Sequence, residues 1–130
     1  MDQEPPHAAI ETQVIQLQRS KLEERVCNAL LESIDETITA LLSRNVVDAL
    51  YYNLYTVHSI PRDEVPYKLE TLCTTLNKVF GVRSTATICK AVGRKLFVKL
   101  GLPFPNSLPS TLSEYVEEAK IMSREREIQP

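Results

Sequence analysis

Three cysteines, two histidines, one adjacent pair of acids and a run of bases are the groups in this chain with the chemistry to act as ligands, nucleophiles or proton carriers. Cys27, Cys73 and Cys89 could bind metal or exchange disulfides, but they are odd in number, far apart, and without a second ligand at chelating spacing. Each sits inside an apolar helical pattern, so buried free thiols are expected. His7 lies in a tail and His58 at a helix end, where neither can serve a nucleophile. Asp63 and Glu64, in "SIPRDEVPYK", are side by side as general acid–base pairs can be, yet adjacent acids in a proline loop usually solvate a turn or cap the next helix. There is no glycine-rich phosphate loop, no Cys-x-x-Cys and no His-x-x-x-His. The expectation is a non-catalytic protein with no metal site and no cofactor.

The bases are more concentrated. Six Lys or Arg and no acid fall between Lys78 and Gly101. At helical spacing Arg83, Lys90 and Arg94 share one edge, while Lys95 and Lys99 share another. Such a stripe commonly pairs with acidic faces of neighbouring helices. It could also contact phosphate or an acidic partner, and helix, Gly81 turn and helix have the outline of a helix-turn-helix. That motif fits poorly, with Asn77 where a small residue belongs and Thr87 where an apolar one belongs.

The elements that must position these groups all read as helices. There are three glycines and no strict alternation, and prolines gather at "PPH", "IPRDEVP" and "LPFPNSLP". From Ala8 to Leu42 apolar residues recur at three- to five-residue steps, which predicts one long amphipathic helix or two in line. In its first part Val14, Leu17 and Leu22 form a sparse stripe, suited either to pairing with a partner helix or to a solvated, fraying terminus. Asn45 is a candidate cap for a second helix over about Val46 to His58. On that helix Val46, Leu50, Leu54 and Val57 share a face with Val47 at its edge, Tyr51 and Tyr55 flank it, and Tyr52 points outward, either to pack on the N-terminal helix or to meet a partner. A third helix spans about Tyr67 to Phe80, with Val79 on its apolar face, and ends at a Gly81 cap. A fourth, about Ser84 to Leu100, is apolar over most of its circumference and closes at Gly101. A final helix begins at Thr111, with Ser110 and Ser113 as caps.

At 130 residues and 43% hydrophobic side chains, one core without disulfides is expected. The net charge of −2 gives no global pull towards nucleic acid or anionic lipid. The start, "MDQEPPHAAI", lacks the basic and apolar pattern of a secretory signal, and no stretch reaches membrane-spanning length, so a cytoplasmic protein without membrane contact is expected.

The pieces "SIDETITALL", "ALYYNL", "IPRDEVP", "LNKVFG" and "KLFVKLGL" together resemble a small archaeal helical domain, the Nitrosopumilus-type output domain, over about residues 30–102. The resemblance implies a compact helical module linked to signalling, with no catalytic residues to carry over. The family's second glycine after "FG" is replaced here by Val82, Arg83 and Ser84. The expected architecture is therefore all-α: a compact bundle of about five helices with a long N-terminal helix. Residues 1–27 would form an extension, 28–125 the domain and 126–130 a charged tail. The expected role is a protein-interaction or signalling module that self-associates through Val14, Leu17, Leu22 and Tyr52. The alternative is a DNA-binding regulator using Arg83, Lys90 and Arg94.

Overall fold

The computed structural model describes residues 6–105 and 111–128, with side chains placed for residues 21–105 and 111–126. Among these the chain is all-helical, as the periodicity requires. Helix α1 is Pro6–Leu41, α2 Arg44–His58, α3 Leu69–Lys99 and α4 Leu112–Ile128, with a 3-10 helix, Arg62–Tyr67, between α2 and α3.

Helix α1 is about 54 Å long at 1.5 Å per residue and packs against every other element. Leu22, Val26, Ala29, Leu30, Ile34 and Ile38 recur at three- and four-residue steps and are all buried, each large aliphatic side chain among them contributing about 1.5–3 kcal/mol. Leu22 thus belongs to the chain's own core and is not part of a partner stripe. The core begins at or before this residue, upstream of the boundary expected at 28.

Helix α2 starts at Ser43, not Asn45: the extended Ser43 accepts the Val46 N–H on Oγ at 3.3 Å, satisfying one of the free amides of the first turn. Its buried stripe is Val47, Leu50 and Leu54. Val57 is instead exposed, because the chain turns back at left-handed Ser59 and buries Ile60 at this end of the helix. The Ser59 and Ile60 amides bond the Tyr55 and Leu54 carbonyls at 3.1 and 3.0 Å.

The proline loop is ordered by two devices. Val65 and Pro66 are buried as an apolar plug. Arg62 donates to Asp35 Oδ2 on α1 at 2.5 Å, and Asp35 Oδ1 accepts the Tyr51 hydroxyl of α2 at 2.6 Å, with the guanidinium 5.6 Å from the Tyr51 ring centre. One carboxylate thereby ties three elements together. Asp63 and Glu64 are exposed in the first turn of the 3-10 helix, where the helix dipole favours them.

Helix α3 is two arms, residues 69–80 and 82–99, joined by a single non-helical residue, Gly81, at φ 86° and ψ 166°. The second arm begins at once after Gly81, so Ser84, expected as its start, lies inside it. Cys73 and Cys89 stand eight residues either side of Gly81. On a straight helix they would be about 24 Å apart, yet their sulfurs are 3.7 Å apart, so the arms fold back on each other. Val79 and Val82 are left exposed at the tip of this hairpin, and Val79 is therefore not a core residue. Gly81 occupies a backbone region that is essentially closed to residues with a Cβ. Although a methyl group there would meet nothing within 4 Å, Gly81→Ala is expected to cost about 1–3 kcal/mol through the backbone alone. Thermal denaturation checks this, and an unchanged melting temperature would show that the turn tolerates a side chain.

The second arm carries buried Ile88, Cys89, Val92, Leu96 and Phe97. It ends in a Schellman motif: the Gly101 N–H bonds Val98 O at 3.1 Å, the Leu102 N–H bonds Phe97 O at 2.9 Å, and Gly101 has φ 68°. Phe104 then packs edge-on to Phe97 at 5.6 Å and beside Tyr115 at 5.8 Å, which anchors the connection to α4. The first turn of α4 is capped by Thr111 Oγ1, accepting the Glu114 N–H at 3.2 Å, with Ser113 inside the helix. Ser110 lies outside the described residues. Leu112, Tyr115, Val116 and Ala119 form the buried face of α4.

Candidate functional site

The outer face of α2 is the first candidate surface. Tyr52 is 71% exposed and Tyr55, one turn on, is 62% exposed. Of the two resting places considered for Tyr52, packing on α1 is not the one found, and Tyr55 is not the half-buried rim residue its position suggested. The buried stripe keeps Leu50 and Leu54 but is rotated from the Val46–Val57 side towards Val47 by roughly 40°, less than half of the step between successive residues. That small rotation carries Tyr55 outward and leaves Tyr51 half-buried over Asp35. Burial, and then the adjacent carboxylate, push the Tyr51 phenol far above its ordinary value, so it stays protonated and donates. The two exposed rings stand on a helix whose opposite side is locked into the core, which makes a rigid aromatic patch. Val14 and Leu17 fall on α1 among residues whose side chains are not described.

The basic edge divides according to its neighbours. Lys99 reaches Glu36 at 2.5 Å and Glu32 at 3.4 Å on α1. Its ammonium, through that hydrogen bond, holds the exposed Glu36 carboxyl below the usual range. Arg94 stacks 5.1 Å from the centre of the Phe104 ring. Arg83 and Lys90 are exposed, and among the described residues neither is in an ion pair. A helix-turn-helix needs a turn of about three or four residues that opens the second helix to a groove. Here one residue reverses the chain and the arms touch, so the outline read from the sequence is not the geometry formed.

The second candidate surface was invisible in the sequence. A cleft of about 690 Å³ lies between the two arms of α3 and the start of α4, lined among others by Cys73, Asn77, Thr85, Cys89, Lys90 and Tyr115. Cys89 is buried, as expected, whereas Cys73 is only half-buried. The hydrogen bond between the two thiols lowers the Cys73 pKa, against the opposing effect of desolvation, while the same pairing and burial push the Cys89 thiol far up. Cys73 is therefore the first of the two to ionise.

Thr85 completes the cleft's polar lining. It is buried, and among the described residues its Oγ1 is the buried side-chain polar atom left without a hydrogen bond. Thr74, Thr75 and Thr87 each bond the carbonyl four residues back. For Thr85 that carbonyl belongs to Gly81, whose ψ of 166° turns it out of the helical direction. The reversal of the chain thus creates both the cleft and its unpaired hydroxyl. The nearest sequence signal was the equal spacing of the two cysteines about a glycine.

Among the described residues no group of three or more His, Cys, Asp or Glu converges as a metal site, and no helix is long and apolar enough to cross a membrane. In comparisons with known proteins, the chain matches no family model, no curated protein and no solved structure.

Proposed function

We propose that this chain is a non-catalytic helical interaction module that works in the cytoplasm by pairing with a second copy of itself. The exposed Tyr52 and Tyr55 on a rigid helix carry this reading. Tyrosines supply large contact area at small entropic cost and are enriched where protein surfaces meet. Across a two-fold axis such a patch meets its own image, so one pair of rings becomes four. The same face holds Arg44 and Asp48, paired at 3.4 Å, and the small net charge sets up little repulsion between copies. The sequence stripe of Val14 and Leu17 is a second region proposed for self-pairing, without Leu22, which is buried in the core. The resemblance over residues 30–102 adds a role in signal output.

Sedimentation equilibrium of the full chain at tens of micromolar tests this directly. The expected result is a dimer, with Tyr52→Ser/Tyr55→Ser monomeric and its melting temperature changed only by the loss of the dimer contact. A monomeric full chain sinks the reading. A double variant that still dimerises moves the contact away from α2, and Val14→Asp/Leu17→Asp then shows whether α1 supplies it.

A further inference from the structure

We propose that the cleft between the arms of α3 is a thiol–disulfide exchange site, in which Cys73 attacks a low-molecular-weight disulfide and Cys89 resolves the adduct. Four observations place the parts. The sulfurs are 3.7 Å apart, so about 1.7 Å of approach would bring them to bonding distance. Both thiols line the cleft, and Cys73, half-buried, is the more exposed of the two, Cys89 being buried. The buried Thr85 hydroxyl has no partner among the described residues and lines the same space, available to a polar group of an incoming molecule. Glu70 and Lys90 also line the cleft, presenting one charge of each sign, which suits a reagent that carries both carboxylate and ammonium groups. Cys27 lies on α1 and does not line the cleft.

The exchange balances without any further oxidant. Cys73 gives up its proton and its sulfur attacks one sulfur of the reagent RSSR. The Cys73–SR bond forms, the reagent's S–S bond breaks, and the departing sulfur takes a proton to leave as RSH. Cys89 then loses its proton and attacks Cys73 Sγ. The Cys73–Cys89 bond forms, the Cys73–SR bond breaks, and the second RSH leaves. Two protein thiols are oxidised and one small disulfide is reduced to two thiols. The product clamps the two arms of the α3 hairpin and narrows the cleft. This proposal stands independently of self-pairing through α2.

The test exposes the folded, reduced full chain to oxidised glutathione and follows intact mass and peptide maps. The expected wild-type product is the Cys73–Cys89 disulfide with two glutathiones released per chain, and with Cys27 still available to alkylation after unfolding. Cys89→Ala should stop at one glutathionyl group on Cys73, and Cys73→Ala should form no adduct at Cys89. Circular dichroism confirms that each variant keeps its helices. Adducts that favour Cys27, disulfides that include Cys27, or a folded wild-type chain that stays reduced while the chemically unfolded chain reacts would each overturn the proposal.

Discussion

Leu96→Asp is expected to abolish cooperative folding. Leu96 is fully buried, with 0% of its surface exposed, on the second arm of α3 within the main apolar cluster. No basic side chain is buried among the described residues, so a carboxylate there would have no opposite charge at hand. Placing it there, or protonating it to avoid the charge, costs several kcal/mol, against a total stability of about 5–15 kcal/mol for a domain of this size. Leu96→Ala is the companion variant. It removes the same packing without adding charge, and should keep a cooperative melt while losing about 2–5 kcal/mol. Circular dichroism melts of the two variants separate the effects. An Asp variant that melts cooperatively within a few degrees of wild type would mean that this arm is peripheral.

The second large effect concerns the residue with no side chain. A methyl group at Gly93 would lie 2.7 Å from both Cγ and Cδ1 of Tyr115. Those atoms are at the base of the ring, where no small rotation can clear them, and Tyr115 is buried and packed on Phe104. Gly93→Ala therefore requires α4 to move away from the second arm of α3. The expected loss is at least about 1–3 kcal/mol, the usual result of forcing extra volume into a filled core, and any helix propensity that alanine adds is smaller. Replacing Tyr115 by Leu removes the obstructing ring. In that background the cost of Gly93→Ala should fall by about 1 kcal/mol or more, a coupling readable from the double-mutant cycle. Strict additivity would place the strain somewhere other than the Tyr115 contact.

The helical class was legible because it depends on local pattern: three- and four-residue apolar spacing, few glycines, and prolines confined to connections. The long first helix, the stop at Gly101 and the burial of Leu96 all follow from that pattern. Caps were legible in type but not in position. Ser43 and Thr111 cap α2 and α4 where Asn45, Ser110 and Ser113 were also chemically suitable, and a shift of one or two residues in where the helix begins decides among them.

What the sequence could not specify was the phase of each helix against its neighbours and the path of the chain at its breaks. Sequence periodicity fixes a helix face only to within a few tens of degrees, against about 100° between successive residues. A rotation of that size brings Val47 into the core beside the partly buried Val46 and places Tyr55 in solvent. Leu22 read as part of a partner stripe because the core cluster that buries it is assembled from segments distant in sequence. The path at Gly81 mattered most. Glycine announced a turn, but only the tertiary fold decided that the arms double back, and this brings together thiols sixteen residues apart, turns away the carbonyl that Thr85 would have used, and opens the cleft between them. Contacts of that kind depend on two dihedral angles at one residue and on the packing that holds them, which no local pattern of residue types records.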